Sequence, residues 1–267
     1  MIRSPVVAGR FYPSDPRELA GQIDSFAPKG NPKRPARACV VPHAGYMYSG
    51  HVAGAVYSSL KIPDRCILLG PRHFPRGEPM ATLTQGKWKT PLGEAAIDSA
   101  LAMELARADP RLRDDFVAHE HEHSLEVQIP FLQRLAPEFQ FVPVVLASDR
   151  YGALEELGHA VARVVAAHDG PVLIVASTDM NHYESDEITR VKDRKAIDKI
   201  LALDPRGLYD TVRQEGITMC GYAATVATLV AAIDLGAKAA KLLRYATSGD
   251  ITGDRDEVVG YAGFTIE

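Results

Sequence analysis

Four unbroken apolar runs punctuate the first two-thirds of the chain. Residues 37–42 (RACVVP), 65–70 (RCILLG), 139–146 (FQFVPVVL) and 171–177 (PVLIVAS) show no in–out alternation. Such runs suit short strands covered on both faces. Between and after them, helical patterns occupy residues 51–60, 95–108, 125–135, 154–167, 187–203 and 223–235. Residues 239–247 and 258–266 return to a strand pattern. Strands alternating with helices predict an α/β fold, a three-layer αβα arrangement around a mostly parallel or mixed sheet. No internal repeat, low-complexity tract or linker interrupts the pattern. Residues 28–37, rich in Pro, Lys and Arg, read as an exposed loop into the first core strand. The expectation is one domain over residues 1–267.

Composition narrows the function classes. A hydrophobic share of 46% and a charged share of 24% over 267 residues supply ample material for a core. The formal net charge of -4, with no basic block, argues against a nucleic-acid surface. The longest apolar run, residues 223–233, is too short to span a bilayer, and residues 1–13 lack the apolar stretch of a signal peptide. Cys39, Cys66 and Cys220 are odd in number and widely spaced, which argues against a disulfide framework and for a reducing, cytoplasmic setting.

In open α/β sheets, ligands bind beyond the carboxyl ends of the strands. The first core run is followed by Pro42-His43-Ala44-Gly45-Tyr46, the second by Pro71-Arg72-His73-Phe74, and the fourth by Thr178-Asp179-Met180-Asn181-His182-Tyr183. One strand-end histidine is commonly a loop residue that hydrogen-bonds carbonyls. Three arriving at one sheet edge point to a metal or acid–base pocket, because neutral imidazole is the commonest protein metal ligand. In the run His119-Glu120-His121-Glu122-His123, only His123 has a defined location, just before a helix. It is assigned to the pocket, and His119 and His121 to the periphery. Cys220 precedes a helix, whose dipole favours a thiolate. By spacing alone it could equally be a small buried hydrophobe, the reading given to Cys39 and Cys66. Dinucleotide-binding, P-loop, nucleophile-elbow and Cys-x-x-Cys motifs are absent. The acidic stretch 249–256 lacks calcium-loop spacing and reads as a polar turn between strands.

These residues fall within a longer series. It comprises Pro5-Val6-Val7-Ala8-Gly9-Arg10-Phe11-Tyr12-Pro13, Pro42-His43-Ala44-Gly45-Tyr46, Leu69-Gly70-Pro71-Arg72-His73 and Thr90-Pro91-Leu92-Gly93-Glu94. Glu122-His123-Ser124-Leu125-Glu126, Ser177-Thr178-Asp179-Met180-Asn181-His182-Tyr183, Cys220-Gly221 and Tyr245-Ala246-Thr247-Ser248-Gly249-Asp250 follow. In this order they resemble the Memo family nearly end to end, and that family resembles the class III extradiol dioxygenases in fold. The resemblance implies His43 and His73 as metal ligands and Cys220 where a carboxylate ligand would be. It also implies His182 as acid/base with Asp179 beside it, orienting the ring or reaching the metal, and His123 lining the pocket. Thr178 and Asn181 stand where serine is usual, a change conservative in polarity.

The implied cofactor is Fe(II), with Cu or Zn admitted because thiolate is a softer donor than carboxylate. The expected function is a non-haem iron, dioxygenase-like oxidoreductase acting on a small aromatic or related substrate. The alternative is a non-catalytic metal- or peptide-binding module, in keeping with the signalling role linked to animal members. Bacterial and archaeal members are called component B of the AmmeMemoRadiSam system, which implies a radical-SAM companion and a third partner.

Overall fold

The computed structural model describes residues 1–27, 30 and 32–267. Its centre is four parallel strands, in the spatial order Gln140–Leu146, Arg65–Pro71, Val172–Ser177, Ala38–Val41. These are the four apolar runs. Their registers place Cys66 between Phe141 and Leu173, and Cys39 beside Val175, so both thiols are buried in the sheet. Burial pushes both thiols up, as expected of inert core cysteines. The sheet turns mixed at its flank: Val258–Ile266 runs antiparallel to Ala38–Val41, and Ala240–Thr247 antiparallel to Val258–Ile266. On the other flank Gly93–Ile97 joins Gln140–Leu146 in parallel and forms a hairpin with Lys87–Thr90.

Helices cover both faces, giving the three-layer αβα fold. Tyr46–Ser59 lies on one face with Pro16–Phe26 and Ile129–Leu135 beside it. Tyr151–Ala167 and Tyr222–Asp234 cover the other. These last two approach closely because position 158 is glycine: a Cβ there would sit 2.7 Å from the Ala227 carbonyl oxygen.

The boundaries differ from expectation in instructive places. The helix expected over 95–108 is a strand to Ile97 and a helix only from Ser99, because Asp98 caps it by accepting from the Leu101 N–H at 3.0 Å. The helix expected from 51 begins at Tyr46, and residues 126–128 form a 3₁₀ turn before the helix Ile129–Leu135. Besides the four-residue helix Val117–Glu120, two helices among the described residues went unread, Pro16–Phe26 and Pro205–Gln214. Each starts with the sequence Asp-Pro, the aspartate accepting from first-turn N–H groups and the proline filling the first helical turn. Within the stretch 249–256 the chain makes a short helical turn, Gly249–Thr252, between two strands. Of the loop expected over 28–37, residues 28, 29 and 31 lie outside the described residues, and residues 32–35 are exposed.

Candidate metal centre

Strand ends build the site. His43, His73 and Asp179 each lie two residues past the end of a parallel core strand, at Val41, Pro71 and Ser177. His182 follows from the same turn as Asp179, on the short strand His182–Glu184. Cys220 arrives on the turn before the helix Tyr222–Asp234, pulled close because Gly221 packs on the Ser177 carbonyl, where a Cβ would lie 2.3 Å from the oxygen. All six expected residues, His43, His73, His123, Asp179, His182 and Cys220, line one cavity of about 720 Å³. His119 does not. It is buried against Trp88 (ring centroids 5.8 Å), where burial and the Arg3 charge lower its pKa to about 3. His121 is exposed beside Phe74, outside this cavity.

Hydrogen-bond bookkeeping fixes which way each imidazole presents its lone pair. Ser177 Oγ gives its single proton to the Ser124 carbonyl (2.7 Å), so it accepts from Gln128 Nε2 (2.8 Å) and from His43 Nδ1–H (2.9 Å). His73 Nδ1–H donates to the Glu122 carboxylate (2.9 Å), and His182 Nδ1–H to the Thr218 carbonyl (3.0 Å). All three rings therefore keep Nε2 free as a lone-pair donor. One ligand atom from each of His43, His73 and Cys220 falls within 4.8 Å of the others, and the Cys220 sulfur sits 3.3 Å from His43 Nε2. Asp179, His182 and Cys220 form an overlapping group on the same criterion. Asp179 accepts the backbone N–H groups of His43 (2.8 Å) and Ala44 (3.3 Å), while the His182 ring is held by Thr218.

The charges are those of a site that wants a cation. Burial, with His73, His123 and His182 nearby, holds the His43 pKa well below its usual value. Burial also lowers His123 to about 4, against the pull of Glu122. At His73, burial opposes protonation, but the hydrogen bond and charge of Glu122 outweigh it and raise the pKa. Glu122, despite its burial, is held at about 2 by the His73 hydrogen bond and the His73 and His123 charges. Burial and the Asp179 charge push the Cys220 thiol up, opposite to the shift expected from its place before a helix. Burial likewise raises Asp179. A metal ion would supply the positive charge that these two groups lack, displacing the thiol proton as it binds. Two imidazole nitrogens and one thiolate, once a cation has displaced their protons, would suit iron, Cu or Zn.

Sequence reading missed the residues that aim the ligands. Glu122 was in view within the His/Glu run, and its one signal was adjacency to His123. Ser177, Gln128 and Thr218 carried no signal beyond ending a strand or flanking a motif. Arg3 went unread as well. Buried, it donates to the carbonyls of His119 (2.7 Å) and Glu122 (2.5 Å), pairs with Glu126 (2.7 Å), and lies over the Trp88 ring at 4.2 Å.

A family model for Memo-like proteins matches residues 3–265. The chain belongs to the Memo family. Among its Memo relatives, a MEMO1 family protein of Methanopyrus kandleri is 44% identical over 280 residues, covering 100% of this chain and 99% of that one. Another, from Methanothermobacter thermautotrophicus, is 40% identical, covering 98% and 99%. A third, from Sulfolobus acidocaldarius, is 42% identical, covering 98% of each. Among solved structures, an uncharacterized protein (JW3007) of Escherichia coli K12 is similar at a TM-score of 0.54 and 13% identity, covering 84% of this chain and 98% of that one. That likeness speaks for the fold alone, the three-layer αβα arrangement.

Proposed function

We propose that this Memo-family pocket is the active site of a metal-dependent oxidoreductase, holding non-haem iron through His43, His73 and Cys220 and using O2 on a small aromatic substrate. The observation that carries the reading is the fixed aim of the imidazole Nε2 lone pairs and the Cys220 sulfur into one open cavity. A pocket this size suits a single small molecule. Iron, when bound, would supply Lewis acidity and one-electron chemistry toward O2.

The protein's own part is proton handling and positioning. His182 Nε2 accepts the proton of a substrate hydroxyl while its Nδ1–H stays on the Thr218 carbonyl, which prevents the ring from turning away. The buried Asp179 carboxyl, near enough to act on His182 through its charge, stabilises the resulting imidazolium. The same group then returns the proton to product. His123, stacked on His73 at 4.5 Å and neutral at pH 7, walls the cavity without competing for that proton.

The deciding experiment is metal analysis of protein purified without oxygen, followed by O2 uptake with a panel of catechols. Stoichiometric iron and substrate-dependent uptake support the oxidoreductase. A zinc-filled or empty pocket that stays silent after iron reconstitution favours the non-catalytic binding module.

A further inference from the structure

Among the described residues, Tyr183 is one of two non-glycine residues with positive φ, at 60°. Left-handed backbone strains a bulky side chain, and Asn or Gly would occupy it more easily. The core gains nothing in return, because Tyr183 is 73% exposed and lines the mouth of the metal-centre cavity. Strain kept at a site without a packing benefit points to use of the ring itself. Tyr183 reaches the mouth from the His182 side, its ring 5.6 Å from that imidazole.

From the His123 side comes the turn that carries Arg10 and Phe11. Phe11 meets the His123 ring edge-on at 5.0 Å. Arg10 is the only Lys or Arg lining the cavity among the described residues. The turn is fixed: the N–H groups of Arg10 and Phe11 both donate to the Val7 carbonyl (3.0 and 2.8 Å), and Gly9 donates to the Tyr12 carbonyl (2.7 Å). Below it the Glu126 carboxylate anchors the Val6 and Val7 N–H groups. A guanidinium carried on a fixed turn at a pocket mouth can pair a carboxylate in bidentate fashion. The mouth thus offers aromatic faces from two sides and one cationic side chain carried on a fixed turn.

We propose that this mouth selects planar aromatic carboxylates, with Arg10 pairing the carboxylate and Tyr183 stacking on the ring. The assignment rests on the small-aromatic reading of the pocket and names the substrate class within it. Neither residue supplies a ligand atom or a proton acceptor to the chemistry, so both act as specificity residues.

The test is equilibrium binding, measured by calorimetry under anaerobic conditions with iron-loaded and metal-free protein. The probes are 3,4-dihydroxybenzoate and catechol, which differ only in the carboxylate. The carboxylated probe is expected to bind about tenfold tighter. Arg10→Met should erase that preference while leaving catechol binding unchanged. Tyr183→Asn should weaken both probes by about threefold to tenfold while the Tm holds or rises. No preference in the wild type, or a preference that survives Arg10→Met, would overturn the carboxylate assignment. A fall in Tm with unchanged binding would make Tyr183 a structural residue and overturn its role. O2 uptake is a separate readout: selective binding without uptake leaves this inference standing and defeats the oxidoreductase reading.

Discussion

Glu122 shows how much of this site depends on residues that never touch a substrate. Its carboxylate accepts hydrogen bonds from His73 Nδ1–H, the His73 backbone N–H and the Ser124 backbone N–H, so one buried side chain fixes both the ring and its loop. Removing such an outer partner costs metal affinity without removing a ligand, typically about 10–100-fold. Glu122→Gln is therefore expected to weaken iron binding by about that factor, whereas His43→Ala and Cys220→Ser abolish high-affinity binding. Competitive chelator titration separates the two classes, and wild-type affinity in both ligand variants would remove the metal assignment. His182→Ala is expected to keep its iron and lose O2 uptake, because Thr218 aims that ring for proton transfer; loss of iron instead would make His182 a ligand. His43, His73, Asp179 and His182 were legible in the sequence because strand ends announce themselves as breaks in apolar runs, whereas His123 and Cys220 precede helices and the family resemblance carried Cys220. Their supports were not. Ser177 and Gln128 look like any polar residue until the fold brings them to His43 across 134 and 85 positions of chain, the first a direct bond and the second through that serine.

At the scale of elements, burial on both faces made the four parallel strands readable, since no polar position interrupts them. The flanking hairpin Lys87–Thr90 and Gly93–Ile97 was harder, its alternation being short and rich in alanine, a residue equally at home in a helix. The helix Asp186–Leu201 illustrates chemistry that periodicity cannot show, for it carries two buried carboxylates of opposite electrostatic character. Asp186 accepts from Arg190 (2.8 Å), Thr247 (2.6 Å) and Arg255 (2.5 Å), and the Arg190 bond leads in holding it at about 2. Asp193 accepts from the Asn181 N–H and the Tyr245 hydroxyl, both at 2.8 Å, yet burial outweighs these bonds and lifts it to about 7. The signs follow from linkage. A depressed carboxylate stabilises the fold above its unfolded pKa, about 3.9, and that stability is lost as pH falls toward 2. A raised carboxylate contributes most below its unfolded pKa, and the contribution is lost as pH rises from about 4 through 7. Thermal unfolding across pH 2–8 should show the deficit of Asp186→Asn against wild type growing as pH rises from 2 to 4 and staying constant above. Asp193→Asn should instead gain on wild type between pH 4 and 7. Parallel pH profiles for wild type and either variant would refute that variant's assignment.

The whole molecule is closed by a contact between its first residues and its middle. Arg3 and Glu126 lie 123 positions apart, and no pattern along the chain links them. Together they clamp the arm over residues 1–13 onto the segment that carries Glu122 and His123: Arg3 holds the carbonyls of His119 and Glu122, and Glu126 gathers the N–H groups of Val6 and Val7 with the Tyr12 hydroxyl. The arm in turn delivers Arg10 and Phe11 to the cavity, so this long-range ion pair and the shape of the pocket mouth are one feature. With both charges buried, removing one strands the other, a loss of about 3–5 kcal/mol. For a domain of this size Arg3→Met should lower the Tm by roughly 10 °C. Arg3→Lys keeps the charge but cannot span two carbonyls and a carboxylate with a planar fork, and is expected to fall between. Because the clamp also orders the Glu122–His123 segment, Arg3→Met should weaken iron binding at temperatures where the protein is still folded. A folded Arg3→Met variant with wild-type iron affinity would mean that the arm stabilises the fold without shaping the site.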